Sequence, residues 1–341
     1  MQRVFADRSR LLRERATTHL VSFDAARIFH VNLNCSKLER SRAFYVEATG
    51  LTQGVRTAPD APQPGAAFGL DRAWWDAWIL IGTKAFEGGA IDLLEWREPR
   101  PSDTPPREYH RCGFQRVGIR VPDLDGAIAR LAPHGGSAWS APIVHAMGGP
   151  TDRSTSAARE DSAKQAPAGP LRLVHASDPD GIALELVEGG GPDLSFVAVV
   201  CADLGRSLRW YEALGFQVRA RFPSESADGS RLHLTGRVAA EELLLVPGGG
   251  GTVRLVLVGF REPAALAPEP RTLATLGIAR VALLVPDLDA CVAKLERLQI
   301  PLLSAPVAMA MGPGLPELRF VCFAGPDGEI LELIEQPDVG A

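Results

Sequence analysis

The feature that most restricts the fold is that this 341-residue chain repeats itself at a nearly constant spacing. CSKLERS at 35–41 returns as CADLGRS at 201–207, and VPDLD at 121–125 returns at 285–289. WREP at 96–99 returns as FREP at 260–263, and SAPIVHAMGGP at 140–150 as SAPVAMAMGPG at 304–314. The offsets are 166, 164, 164 and 164 residues. Such constancy over four separate markers means a duplicated half of about 165 residues. Further on the spacing contracts: DPDGIALELVE at 178–188 matches GPDGEILELIE at 325–335, an offset of 147. The first half therefore carries an insertion, TDRSTSAAREDSAKQAPAG at 151–169. Its Ser, Ala and charged residues show no apolar period and read as a surface loop.

Each half divides again. RIFHVNLNCSKLERSRAFY is similar to FQRVGIRVPDLDGAIARLA: an alternating strand, a polar turn, then a helical stretch. Four modules result, at 27–99, 113–189, 193–263 and 277–336, each reading as a strand, a helix and about three strands. Ser36, Asp123, Asp203 and Asp287 stand where a side chain can cap the first turn of a helix. DPDG and GPDG suit tight turns between the last two strands. One module cannot bury both faces of its sheet, whereas two side by side can close a curved sheet around a shared cavity, with helices outside. The expectation is an α+β fold of four βαβββ modules, a tandem duplicated pair forming two curved-sheet, half-barrel cavities. An N-terminal extension (1–26) would precede a first domain (27–190) and a second (191–341).

Hydrophobic residues make up 46% of the chain, enough for sizeable cores, and the net charge of −5 is too small to indicate nucleic acid or a membrane surface. No apolar run approaches the roughly 18–20 residues of a membrane span. The start, MQRVFADRSRLLRERATTHL, lacks the apolar core of a secretory signal and reads as an amphipathic helix or frayed end. Five cysteines (Cys35, Cys112, Cys201, Cys291, Cys322) are far apart and odd in number. That pattern suits buried, reduced thiols in a cytoplasm.

HVNLNCSKLERSRAFY with the downstream Gly50-Leu51, the two VPDLD segments, and the pair DPDGIALELVE and GPDGEILELIE resemble the vicinal oxygen chelate superfamily. It includes glyoxalase I, the bleomycin and fosfomycin resistance proteins, methylmalonyl-CoA epimerase and the type I extradiol dioxygenases. The resemblance covers nearly the whole chain after residue 26. It specifies the fold more than the reaction, because the family spans isomerases, lyases, transferases, dioxygenases and metal-free binders.

The resemblance implies that a metal is held by residues of the first and last strands of two paired modules. Carried onto this chain, the first module offers His30 and Asp92 and the second offers Arg116 and Glu185. The third offers Phe196 and Val256, and the fourth Arg280 and Glu332. His30, Asp92 and Glu185 would form a one-imidazole, two-carboxylate set for Mn²⁺, Fe²⁺, Zn²⁺ or Mg²⁺, and no organic cofactor is expected. Arg116 departs from the pattern, since a guanidinium stays protonated and cannot ligate. It would instead pair with Glu185 or Asp92, or clamp a substrate carboxylate. Which modules pair, within one chain or across a homodimer, is open, and either pairing gives the His30 site the same composition.

His175 lies ten residues before Glu185 across an Asp-Gly turn. That spacing can put both side chains on one sheet face, where an imidazole can shuttle protons. His145, beside AMGGP, could flank the cavity mouth. DRAWWDAWIL at 71–80 concentrates Trp74, Trp75 and Trp78. They read either as packing between elements or, with Trp74 and Trp78 in contact with ligand, as an aromatic wall.

One reading is an enzyme acting on a small oxygen-rich or aromatic metabolite. The N-terminal pair of modules would carry His30, Asp92, Glu185, Arg116 and His175 around a divalent metal for lyase or isomerase chemistry, and the C-terminal half would be degenerate. A second reading is a metal-free protein that binds or sequesters a small molecule. A third is metal-free acid–base catalysis by His175. Extradiol ring cleavage fits the length but not the ligand set. The partner in each case is a small molecule, with no nucleic acid and no membrane, for a cytoplasmic monomer or homodimer.

Overall fold

The computed structural model describes residues 23, 26–101, 108–145, 171–223 and 227–336. The insertion at 151–169 and nearly all of the N-terminal extension lie outside them. The alternation of the sequence is realised as four βαβββ modules. The first comprises β1 (Arg27–Asn34), α1 (Leu38–Thr49), β2 (Thr52–Thr57), β3 (Arg72–Ile81) and β4 (Ala90–Glu98). The second comprises β5 (Gly113–Val121), α2 (Leu124–Leu131), β6 (Ser137–Ala138), β7 (Leu171–Ser177) and β8 (Ala183–Glu188). The third comprises β9 (Asp193–Val200), α3 (Leu204–Ala213), β10 (Gln217–Pro223), β11 (Arg237–Val246) and β12 (Arg254–Glu262). The fourth comprises β13 (Gly277–Val285), α4 (Leu288–Arg297), β14 (Val307–Ala310), β15 (Glu317–Ala324) and β16 (Ile330–Glu335).

The modules do not pair in chain order. The first sheet runs β14-β15-β16-β13-β1-β4-β3-β2, so it joins the fourth module to the first. The second runs β10-β11-β12-β9-β5-β8-β7-β6, joining the third to the second. The joins are antiparallel, β1 against β13 and β9 against β5. Each half of the sequence thus gives one module to each sheet, and the first and second modules lie in different sheets.

Strand alternation sorts side chains between two environments. Val31, Leu33, Val117, Ile119, Val197, Val199, Val281 and Leu283 point to the helix side, where one core cluster draws on all four modules. The opposite faces build separate clusters. Trp75, Trp96, Phe68 and Phe320 pack on the first sheet, and Phe196, Val256 and Val258 on the second. Asp123, Asp203 and Asp287 cap α2, α3 and α4 as their positions suggest. Ser36 does not cap α1; its hydroxyl donates to Asp180, 2.6 Å away. The first N–H of α1 is satisfied instead from β4, where Glu95 accepts from Leu38 N at 2.8 Å. Among the described residues no helix is long and apolar enough to cross a membrane. All five cysteines are free and buried.

Candidate functional site

The centre of the first sheet brings His30, Asp92, Arg280 and Glu332 together from β1, β4, β13 and β16. Register sets this up: Asn32 lies opposite Asp92 on one side and Arg280 on the other, and Ala282 opposite Glu332 and His30. Arg280 Nε donates to Glu332 Oε2 at 2.9 Å, and its Nη2 lies 3.5 Å from Asp92 Oδ2. Asn32 ties the two strands together, its amide donating to Asp92 Oδ2 at 3.0 Å and its carbonyl accepting from Arg280 Nη1 at 3.1 Å. His30 Nε2 is 3.5 Å from Glu332 Oε2 and 3.8 Å from Asp92 Oδ2. All five side chains are buried. Among the described residues, neither ring nitrogen of His30 nor Asp92 Oδ1 makes a hydrogen bond.

Burial alone would raise the Glu332 carboxyl; Arg280 and His30 outweigh it and hold its pKa at about 2. Burial likewise works against the Arg280 charge, but Glu332 and Asp92 keep it above its ordinary range. Arg280 and Glu332 therefore form an ionised pair at neutral pH.

Above this cluster opens a cavity of about 190 Å³. Its wall is mostly aromatic and aliphatic: Phe29, Phe68, Trp75, Phe86, Phe320 and Met311, among others. Phe68 stacks with Phe320 at 5.3 Å and meets Trp75 and Trp96 edge-on. Arg280 lies over the Phe68 ring, 5.1 Å from its centroid.

Other residues singled out from the sequence lie elsewhere. Arg116, Glu185 and His175 belong to β5, β8 and β7 of the second sheet, so they do not join His30 and Asp92. Arg116 is consumed by Glu185 at 2.8 Å and Glu242 at 2.9 Å, with the rings of Phe196 and Tyr109 against it. His175 Nδ1 is 3.9 Å from Glu185 and 3.5 Å from Tyr109 Oη. Phe196 fills the position that His30 holds in the first sheet. Its ring lies against Gly118, where an added Cβ would come within 2.1 Å. Trp74 and Trp78 do not line the cavity. Trp74 Nε1 donates to Pro59 O, and Trp78 turns to the helix side and donates to Glu39. Alternation along β3 gives the cavity Trp75 and Ile79 instead. His145 ends the strand Ile143–His145, which pairs with β7 in the second sheet, and its side chain lies outside the described residues. A larger cleft of about 430 Å³ runs between the starts of β5 and β13. Arg111 in its wall is engaged by Glu108 and Glu269.

Sequence reasoning gave the composition of the His30 site but assigned its arginine and glutamate to the wrong module. It also missed Asn32 and Asn34. Both alternate with Val31 and Leu33 on the face of His30, whereas β9 has Ala198 and Val200 at the matching places. Asn34 accepts from Trp96 Nε1 and donates to the Leu273 and Thr275 carbonyls, fixing the wall.

The family model of the Glyoxalase/Bleomycin resistance protein/Dioxygenase superfamily matches residues 27–186 and again 194–333. The chain belongs to this superfamily. No curated protein sequence matches it. Among solved structures it is similar to glyoxalase I from Zea mays, at 19% identity and a TM-score of 0.56 over 91% of this chain and 92% of that one. It is also similar to a putative dioxygenase from Bacillus subtilis, at 13% identity and a TM-score of 0.55 over 93% and 86%. At such identities the likeness extends to the fold.

A divalent metal of the kind this superfamily often uses does not fit the residues present. His30, Asp92 and Glu332 converge, but both carboxylates turn an oxygen to Arg280, which occupies the fourth ligand position as a fixed cation. Seating a metal among them would put two positive centres within a few ångströms in a low-dielectric interior.

Proposed function

We propose that this chain is a metal-free, small-molecule-binding member of the glyoxalase/bleomycin resistance/dioxygenase superfamily. Its ligand is a compact, largely apolar or aromatic compound, taken by the first sheet. The observation that carries this reading is an aromatic-walled cavity of about 190 Å³ over carboxylates already engaged by Arg280. An apolar cavity of about 150 Å³ is enough to hold benzene, so one or two rings suit this one. Five free, buried thiols support a reducing, cytoplasmic setting.

The test is elemental analysis of protein purified without chelator, beside fluorescence titration with one- and two-ring aromatic compounds. The expected result is less than about a tenth of an equivalent of metal, with quenching that is lost in Trp75→Phe. About one equivalent of a divalent metal, absent from His30→Ala, would overturn the reading.

A second reading, metal-free proton transfer, is favoured by His30. Its ring lies between two carboxylates with neither nitrogen hydrogen-bonded, as suits a group that exchanges protons with a ligand. It predicts turnover that survives EDTA and is abolished by His30→Gln while binding persists.

A further inference from the structure

The matching ends of the two sheets are furnished in opposite ways. In the first sheet the turn between β3 and β4 carries Phe86, which stacks on Phe29, and both rings line the cavity. Ala90 and Leu284 are buried on the neighbouring strands. The repeat sets Gly250 against Phe86, Ser195 against Phe29, Arg254 against Ala90 and Arg120 against Leu284. Two rings and two aliphatic side chains of the first sheet thus become two small residues and two arginines in the second.

Register fixes where these arginines stand. Arg254 of β12 pairs with Phe196, and Arg120 of β5 lies two residues beyond Gly118, which pairs with Phe196 from the other side. Strand alternation puts both on the face away from the helices, at the end where β12 begins and β5 finishes. Arg219 enters from the bulge in β10, and with Arg120 it bears directly on the charge of Arg254. In the turn before β12, a Cβ placed on Gly250 would meet nothing within 4 Å, so no ring covers this end as Phe86 does in the first sheet.

The carboxylates nearby are engaged elsewhere. Asp193, opposite Arg120 in register, is turned to the first module: its Oδ2 accepts from Thr83 Oγ1 at 2.8 Å and its Oδ1 from Lys84 N at 3.2 Å. Glu185 and Glu242 at the sheet centre are held by Arg116. Arg254 Nη1 donates to the carbonyls of Gly251 and Val253, at 2.6 and 3.3 Å. Among the described residues neither Arg120 nor Arg254 is in an ion pair. Burial first, and then Arg120 and Arg219, lower the Arg254 pKa. A guanidinium desolvated beside like charges is stabilised by an arriving anion.

We propose that this end of the second sheet is an anion site, built by Arg120, Arg254 and Arg219, for the phosphoryl group of a small molecule. A carboxylate fills one guanidinium fork, whereas the several oxygens of a doubly charged phosphoryl group can each take a separate donor. The site is independent of what the first sheet binds.

The test is equilibrium dialysis of the full chain against labelled inorganic phosphate, methyl phosphate and acetate, near neutral pH and at constant ionic strength. Phosphate and methyl phosphate are expected to bind at about one equivalent and at least about tenfold more tightly than acetate. Arg120→Gln and Arg254→Gln each weaken them by about tenfold. Arg209→Gln, which removes a charge from the exposed side of α3, leaves them unchanged. Equal affinity for phosphate and acetate, or equal losses in Arg120→Gln and Arg209→Gln, would show only general attraction to charge and overturn the proposal. Binding of inorganic phosphate without methyl phosphate, or of neither, overturns it as well. Arg254 is half-buried and Arg120 exposed, so if Arg254→Gln does not fold, Arg120→Gln decides.

Discussion

Replacing Arg280 by histidine tests the logic of the His30 cluster most directly. The substitution takes the guanidinium from between Asp92 and Glu332 and sets an imidazole in its place. A carboxyl held near 2 rather than its ordinary 4.5 is worth about 3 kcal/mol. Removing one partner of a buried pair costs a similar amount, about 3–5 kcal/mol. The metal-free Arg280→His protein is therefore expected to lose about 3 kcal/mol, or roughly 4 °C in Tm for a chain of this length. The same change creates a two-imidazole, two-carboxylate set, which suits Zn²⁺. Zinc at about 100 times its Kd returns about 2.7 kcal/mol. Calorimetry of both proteins with Zn²⁺ and with EDTA reads the outcome. The variant regains most of its loss with zinc, and the wild type does not respond. A variant as stable as the wild type without metal would refute the claim that Arg280 neutralises the cluster. An equal zinc response in the wild type would refute the claim that it occupies the cation's place.

Three further outcomes follow from the geometry. Because the Glu332 pKa is depressed, its stabilisation is complete above about pH 4.5 and is lost as pH falls towards 2; urea unfolding across that range is expected to steepen in the wild type and flatten in Glu332→Gln. Gly118→Ala drives a methyl group into the Phe196 ring and costs about 1–3 kcal/mol. Adding Phe196→Val restores part of that Tm, and a harmless single substitution contradicts the packing described. Trp75→Ala removes the ring between Phe68 and Trp96 at a cost of about 3–5 kcal/mol in unfolding free energy, and it abolishes any ligand-dependent fluorescence change carried by Trp75.

Much of the fold could be read from residues alone. The offsets between repeated segments delimit the modules, and the alternation in Val31-Asn32-Leu33-Asn34 sets which side chains face the helices. Asp123, Asp203 and Asp287 mark three helix starts. The fourth start was misread at Ser36, because the group that satisfies Leu38 N comes from Glu95, 57 residues away. Trp75 rather than Trp74 or Trp78 faces the cavity, because the register of β3 against β4 decides the phase of the alternation.

Sequence by itself determined the four-module α+β architecture and the kinds of side chain at each strand centre: imidazole and carboxylate in the first module, arginine and glutamate in the second and fourth, apolar residues in the third. Only the tertiary structure decided which of them meet. Every module offers the same kind of first-strand edge, and local pattern cannot choose among equivalent edges. The choice resides in contacts between residues distant along the chain. The broad Phe196 ring lies over Gly118 while the smaller His30 lies opposite Ala282. These contacts give His30 the arginine and glutamate of the fourth module, Arg280 and Glu332, and leave Arg116 and Glu185 enclosed beneath Phe196.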